Sequence, residues 1–252
     1  DGDVEQWYEQ QYIQEEVPVL DVLWVIDNSG SMSPFQQTLA DNVDDFINVF
    51  LASNPDFNMA VITTDNPTFT TIIDNTTSNP EQVLSTLVQV GVTGSGTEKG
   101  IDMSVSSLGN SYYAGPGGNF FRLDSTLVVI YVSDEPNYIL NTWQNHIPFF
   151  DALKPAGLFV PYAVIGDVPN GCSYSNGNIF RSADAGLGYW NLIDHYGGTW
   201  FSICSNDWGV QLQQLAHEVT SRDVFILENL DPIIDTIEVK VNGQIILTTQ
   251  WH

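Results

Sequence analysis

Short runs of apolar residues alternate along the chain with segments in which apolar residues recur every three or four positions. The runs at 19–28, 57–64 and 126–135 are rich in Val, Leu and Ile and end in polar residues, which is typical of buried strands. A fourth run, at 157–168, predicts a strand that is bent or near a sheet edge, because it contains Pro161. We therefore expect a mostly parallel sheet with helices on both faces.

The segments between these runs predict amphipathic helices. Apolar residues follow the helical period over 35–50, 83–88, 101–108 and 208–219. The pair Asn79-Pro80 predicts the start of the second helix, with Asn79 as its cap and Pro80 at its first position.

Three shorter patterns complete the expected architecture. Residues 68–74 follow the strand at 57–64 after a short turn and predict a hairpin with it, and 199–204 predict a last short strand. From about residue 223 the pattern becomes strict alternation around Asn242-Gly243, which predicts a separate β-hairpin. The expected divisions are an acidic extension at 1–18, one α/β domain at 19–222, and a β element at 223–252 that either completes the fold or begins a further β domain.

The charge of the chain restricts the classes of partner that it can bind. There are 31 acidic residues against 6 basic ones, a formal net charge of -25. Nucleic acid is excluded as a partner because binding phosphates requires clustered Lys and Arg. No run of about 18 apolar residues is present, so no membrane insertion by this segment is expected. Residues 1–16 are unlike a signal peptide, and a secretion signal or anchor is expected outside this segment.

The chain has two cysteines, Cys172 and Cys204, so one disulfide can form. The alternative is a pair of buried free thiols. A disulfide is favoured because both cysteines lie in segments rich in Gly, Ser and Asn, where packing alone would fix little. A disulfide in turn favours an extracytoplasmic compartment.

Polar residues follow two of the predicted strands. Asp27 lies at the end of the first strand and alternates with Ser29 and Ser31 just beyond it, and Asp134 lies at the end of the strand at 126–135. The first group is either a polar turn that caps a helix or a set of side chains that converge on a hard cation. Ligands bind beyond the carboxyl ends of parallel strands, so one site could hold both Asp27 and Asp134. Two nearby carboxylates repel each other unless a cation neutralises them.

This pattern resembles the von Willebrand factor type A domain with a metal-ion-dependent adhesion site, over residues 19–222. In that family one loop carries Asp-x-Ser-x-Ser, a second carries Thr or Ser six residues before an aliphatic residue, and a third carries Asp after the most apolar strand. The matching residues are Asp27, Ser29 and Ser31, then Ser95 or Thr97, and Asp134. Ser95 lies six residues before Ile101, and a small shift in register would put Thr97 there instead. Secreted or surface-displayed bacterial members are the most similar branch.

The resemblance implies a doubly wound, mostly parallel six-stranded sheet with helices on both faces. It implies a divalent cation, Mg²⁺ first and Mn²⁺ or Ca²⁺ next, because zinc would favour His or Cys over oxygen ligands. In the family a carboxylate of the partner completes the metal shell. The implied function is therefore non-enzymatic adhesion to a protein or glycoprotein ligand with an acidic side chain, outside the cell or at its surface. The alternative is a structural module of a larger surface or particle assembly, in which the metal only stabilises the loops.

Other patterns that could carry chemistry are weak. The four histidines, His146, His195, His217 and His252, have no metal-like spacing. Ser29 has no obvious His and acid partners, and its surroundings differ from the Gly-x-Ser-x-Gly turn of hydrolases. The glycine-rich segment at 94–100 lacks the spacing of a phosphate-binding loop.

Several residues near the expected site have two interpretations. Glu98 and Glu135 could support the metal ligands from behind, but solvated carboxylates at helix ends are the favoured interpretation. Asp65 either lies on the rim of the site or stabilises its own turn. The polar segment at 166–183 is either a loop that carries specificity or a variable connection. The aromatic segment at 111–122 precedes a strand and is expected at the opposite end of the sheet.

Overall fold

The computed structural model describes residues 17–110, 119–138, 142–176, 179–221, 238–241 and 244–245. Two compact units are present: Glu15–Val224, and Asp1–Gln14 together with Phe225–His252. In the described part of the chain, no helix is long and apolar enough to cross a bilayer.

The larger unit is built on a six-stranded sheet. Its strands are β1 (Val19–Ile26), β2 (Asp56–Thr63), β3 (Ile73–Asp74), β4 (Thr126–Ser133), β5 (Phe159–Ile165) and, after a separate hairpin of β6 (Cys172–Asn176) and β7 (Ile179–Ala183), β8 (Trp200–Ser202). The order across the sheet is β3-β2-β1-β4-β5-β8. All neighbours are parallel except β2 and β3. The expected mostly parallel sheet of six strands is confirmed.

Helices cover both faces of this sheet. They are α1 (Ser33–Ala52), α2 (Pro80–Leu87), α3 (Gly100–Leu108), α4 (Trp143–Leu153), α5 (Tyr189–Tyr196) and α6 (Trp208–Thr220). Residues of α1, α2 and α6 share one apolar cluster, and residues of α3, α4 and α5 share the other. The fold is therefore doubly wound.

Strand β1 shows why the sheet needs both layers. Successive side chains of a strand point to opposite faces, and Trp24 lies in one cluster while Leu23 and Val25 lie in the other. Trp24 is fully buried, and its ring meets the ring of Phe46 in α1 edge to face at 5.0 Å. Burying each such side chain contributes roughly 1.5–3 kcal/mol. A strand apolar on both faces is stable only between two helix layers.

The second strand of the predicted hairpin, at 68–74, is much shorter than predicted. Only Ile73–Asp74 pairs with β2, antiparallel as expected, with Asn58 opposite Asp74. The chain leaves the sheet after Thr63, whose hydroxyl oxygen accepts hydrogen bonds from the Asp65 and Asn66 N–H groups. Such local side-chain bonds compete with strand pairing.

The start of α2 corrects a second detail. Pro80 is the first helical residue, as predicted, but Asn79 makes no capping hydrogen bond through its side chain. Asn79 instead adopts a left-handed backbone with φ of 53°, a conformation that asparagine tolerates better than most residues.

The segment at 166–183 is more regular than the sequence suggested. Strands β6 and β7 pair antiparallel, with Cys172 opposite Ala183, and form a hairpin rather than an irregular loop. Pro161 lies in β5 where only β4 pairs with it, since β8 first pairs at Ala163. That position needs no N–H for β8, which agrees with the expectation that this strand is near an edge.

Two short strands are described in the smaller unit. β9 (Lys240–Val241) pairs antiparallel with β10 (Gln244–Ile245), as expected for the arms of a hairpin. The predicted turn at 242–243, the acidic segment at 1–16 and the aromatic segment at 111–118 lie outside the described residues.

Candidate metal centre

Three loops meet at the carboxyl edge of the sheet. We call them the first loop (27–32, after β1), the second loop (91–99, before α3) and the third loop (134–138, after β4). Strands β1 and β4 are neighbours, and the Asp27 N–H donates to the Val132 carbonyl at 2.9 Å. The first and third loops therefore start side by side.

The carboxylate of Asp27 is fully buried and held in one orientation. Its Oδ1 accepts the N–H of Ser29 at 2.7 Å, and its Oδ2 accepts the hydroxyl of Ser133 at 2.7 Å. Each oxygen retains further lone pairs, so the carboxylate can still bind a cation.

A chain of contacts joins Asp27 to Asp134. The Ser29 and Ser31 hydroxyl oxygens lie 2.9 Å apart, and the Ser31 hydroxyl donates to Asp134 Oδ1 at 3.2 Å. Ser29 and Asp134 are buried, whereas Ser31 is exposed. The structure thus brings together four of the residues that the sequence nominated, with an exposed hydroxyl between two buried carboxylates.

The second loop packs against the first. The Gly94 N–H donates to the Asn28 carbonyl at 2.7 Å, and a Cβ at Gly94 would lie 2.5 Å from Asn28 side-chain atoms. Ser95 is exposed and its N–H donates to Asp65 Oδ2 at 2.6 Å, while Thr97 is half-buried. Asp65 therefore lies beside the second loop. Whether Ser95 or Thr97 contributes the hydroxyl stays a prediction.

The surroundings of the Glu98 side chain differ from those expected from the sequence. The interpretation of Glu98 as a solvated carboxylate is wrong, since it is 1% exposed and its Oε2 accepts the hydroxyl of Thr64, just after β2, at 2.7 Å. Burial, and next the charge of Asp27, raise the pKa of Glu98 to about 8. Its second oxygen, Oε1, is buried and has no hydrogen-bond partner among the residues that the structure describes. Glu135 is half-buried, and burial followed by Asp27 raises its pKa.

Negative charge is therefore concentrated at this edge. Burial, and next the charge of Asp27, raise the pKa of Asp134 to about 7. Over the described residues, no Lys or Arg forms an ion pair with Asp27, Glu98 or Asp134. Clustered carboxylates of this kind favour a bound cation.

The oxygen donors fit a hard divalent cation. Carboxylate, hydroxyl and water oxygens suit Mg²⁺, Mn²⁺ or Ca²⁺. Among the residues described, no three Asp, Glu, His or Cys side chains are grouped to hold a metal by themselves. A cation here would depend on the serine hydroxyls and on water, which leaves room for a ligand atom in its shell.

Two residues that the sequence did not single out position the start of α3. The Asn137 Oδ1 accepts the N–H of Ile101 at 3.3 Å, and the Tyr189 hydroxyl oxygen accepts the N–H of Gly100 at 3.2 Å. Asn137 belongs to the third loop and Tyr189 to α5, so both tie the start of α3, directly after the second loop, to its neighbours. Their spacing in the sequence gave no signal of these contacts.

The β6–β7 hairpin is attached to the same edge. The Asp184 N–H, just after β7, donates to the Asp134 carbonyl at 2.9 Å. Cys172 and Cys204 form a disulfide with a Cα–Cα distance of 6.0 Å, which joins the hairpin to the segment after β8. At the opposite edge, the Arg122 N–H donates to Asp21, so the described end of the aromatic segment lies where expected.

The geometry agrees with one comparison of the sequence. Residues 22–134 match the von Willebrand factor type A domain. The matched stretch includes the first and second loops and ends at Asp134, the first residue of the third loop, so it contains every proposed metal ligand. No curated protein matches the chain.

Solved structures of other proteins are similar to this chain. The pilus adhesin SpaC from Lactobacillus rhamnosus GG is 11% identical, with a TM-score of 0.53, over 82% of this chain and 31% of that one. Proximal thread matrix protein 1 from the mussel byssus, solved with a zinc-occupied MIDAS motif, is 13% identical, with a TM-score of 0.50, over 82% of this chain and 46% of that one. BatB from Bacteroides thetaiotaomicron, a conserved hypothetical protein, is 12% identical, with a TM-score of 0.46, over 80% and 97%.

Proposed function

We propose that residues 19–222 form a type A adhesion domain that binds a protein or glycoprotein ligand through a divalent cation. The proposed metal ligands, direct or through water, are Asp27, Ser29, Ser31, Asp134 and one of Ser95 and Thr97. A carboxylate of the partner completes the shell. The observation that carries the proposal is the contact chain from Asp27 to Asp134, where buried carboxylates meet without a basic partner among the described residues.

Mg²⁺ is the proposed cation, with Mn²⁺ or Ca²⁺ as the next choices. The mussel protein named above holds zinc at its MIDAS motif. Here the three loops contain neither His nor Cys, and both cysteines form a disulfide. An all-oxygen donor set favours Mg²⁺ over zinc, and Mg²⁺ retains water that a carboxylate can replace.

The cation also explains how a strongly acidic chain binds an acidic group. It supplies local positive charge, and physiological salt screens the remaining charges beyond about 8 Å. We propose binding without a reaction. The disulfide supports a place outside the cell or at its surface, because such bonds persist in oxidising compartments.

Calorimetric titration of chelator-stripped protein with Mg²⁺, Mn²⁺ and Ca²⁺ tests the metal site. One saturable site is expected in the wild type, and none in Asp27→Ala or Asp134→Ala. Asp44→Ala is the matched control, since Asp44 is exposed on α1 outside the three loops. Binding that persists equally in all variants would mean that cations only sample an acidic surface, and the proposal would fail.

The structural alternative is tested with the same variants. Adhesion of the protein to candidate ligand surfaces is measured in Mg²⁺ and after addition of a chelator, alongside circular dichroism. Loss of adhesion by Asp27→Ala with an unchanged fold supports metal-dependent adhesion. Loss of stability without any metal-dependent adhesion by the wild type supports a structural metal.

A further inference from the structure

Free positive charge is scarce in the larger unit. Its described residues contain four basic side chains: Lys99, Arg122, Lys154 and Arg181. Arg122 pairs with Asp21 and Asp56, and Lys154 is 3% exposed. Arg181 is half-buried, 5.9 Å from the centre of the Phe35 ring. Lys99 alone among these four is exposed, and none of the described ion pairs includes it.

This exposed lysine lies at the rim of the candidate metal centre. Lys99 ends the second loop, next to the buried Glu98 and two residues after Thr97. Its Nζ is 6.0 Å from the centre of the Tyr138 ring in the third loop. The Tyr138 N–H donates to the Glu98 carbonyl at 2.6 Å, and its side chain is 60% exposed. Lys99 and Tyr138 therefore form one exposed pair across two of the loops that are proposed to bind the metal.

The rest of the rim has the opposite charge. Asp65, which contacts Ser95, is exposed on the β2 side of the second loop. On the third loop, Glu135 is half-buried, and Asp184 is exposed beside it after β7. An acidic partner would be repelled by Asp65 and Asp184 and attracted by Lys99. Charge thus gives the approach to the metal a direction.

We propose that Lys99 and Tyr138 form a second anchoring point, and that the ligand is an acidic protein segment with two carboxylates. One carboxylate completes the metal shell and the other pairs with Lys99, while an apolar part of the segment covers the Tyr138 ring. This rests on the proposed function, because it assumes a cation at the three loops. An ion pair between exposed groups is weak, so Lys99 contributes about a two- to fivefold gain in affinity. That gain falls as salt is added.

The test starts from a random peptide library selected on the full chain in Mg²⁺ and eluted with a chelator. Enriched peptides are synthesised with capped ends, and each Asp or Glu is replaced in turn by Asn or Gln. Affinities are measured for the wild type and for Lys99→Met, with Lys99→Arg as the control that keeps the charge. Tyr138→Ser removes the ring, and Tyr138→Phe is its control.

Two carboxylates with different roles are expected. Replacing one should abolish the chelator-sensitive binding, and replacing the other should weaken it about two- to fivefold in the wild type. That second peptide replacement should not weaken binding to Lys99→Met any further, because the peptide change and the Lys99 change remove the same contact. Tyr138→Ser should weaken binding, whereas Lys99→Arg and Tyr138→Phe should not.

Failures of the two proposals look different. Chelator-sensitive peptides that need one carboxylate and bind Lys99→Met as tightly as wild type would overturn the second anchor and leave the metal-dependent function standing. Absence of any chelator-sensitive peptide would overturn both for protein ligands. Binding of polygalacturonate that depends on Lys99, without binding of acidic peptides, would overturn the choice of a protein segment.

Discussion

A buried aspartate lies near each end of strand β1, and the two have different partners. Asp21 and Asp27 are both fully buried. Asp21 pairs with Arg122 Nε at 2.9 Å and accepts the Ser125 hydroxyl at 2.6 Å. Lys154 donates to the Arg122 carbonyl and to Ser125 beside it. Asp27 accepts only uncharged donors among the described residues.

The difference shows where the chain provides its own cations. Of only 6 basic residues, Arg122 and Lys154 lie at the Asp21 end of the sheet. Burial is the main cause of the raised pKa of Asp21, and hydrogen bonds and the charge of Arg122 oppose it. At the other end, Asp27 is surrounded by further carboxylates whose pKa values its charge raises. At the Asp21 end the folded chain provides its own positive charge. At the Asp27 end the site fits a cation from solution.

The largest expected change in stability comes from removing the basic partner of Asp21. Arg122→Met leaves the buried Asp21 charge without its partner and should lower the free energy of unfolding by about 3 kcal/mol. The measurement is urea unfolding in the presence of a chelator. The double variant Asp21→Asn with Arg122→Met should lose less than the sum of the single losses. Additive losses would contradict a direct charge pair.

Adding Mg²⁺ should stabilise the protein through the Asp27 end. Mg²⁺ at 100 times its Kd should raise the free energy of unfolding of the wild type by about 2.7 kcal/mol, because it binds only the folded state. Asp27→Ala should show no such increase, whereas Asp44→Ala should match the wild type. A similar increase in Asp27→Ala would place the stabilising cation elsewhere.

Removing one charge at the Asp27 end should change stability in opposite directions without and with metal. Without metal, Asp134→Asn relieves repulsion from Asp27 and can still accept the Ser31 hydroxyl, so the protein should gain about 1 kcal/mol of stability. In saturating Mg²⁺ the same variant should be less stable than the wild type. Urea unfolding with and without chelator measures both. Destabilisation under both conditions would contradict an unbalanced charge cluster.

The smallest expected effect concerns pH at the Asp21 end. Burial is the main reason that the pKa of Lys154 falls from 10.5 to about 8. Between these values the unfolded chain keeps the lysine proton and the folded protein releases it, so stability should rise by about 1 kcal/mol between pH 8 and pH 9. Unfolding free energies from pH 8 to 9 should show this rise in the wild type and lack it in Lys154→Met. A parallel rise in both proteins would assign it to other groups.

The sequence predicted much of the candidate centre because strand ends are informative. Asp27 and Asp134 each follow an apolar run, and parallel neighbours bring such positions to one edge. The burial of Glu98 could not be predicted in this way, since it depends on Thr64 from another strand and on loops that cover it. The positioning contacts of Asn137 and Tyr189 also join segments distant in sequence.

The sequence by itself determined the apolar strands, the helices α1, α2, α3 and α6, and the polar ends of β1 and β4, because apolar periodicity and strand ends are local properties. The tertiary structure decided which carboxylates are buried and which of them pair with a basic side chain. It turned the segment at 166–183 into a hairpin, and it left Lys99 exposed at the rim while Arg122 lies beside Asp21. Burial and ion pairing arise between segments far apart in the chain, so no local pattern specifies them.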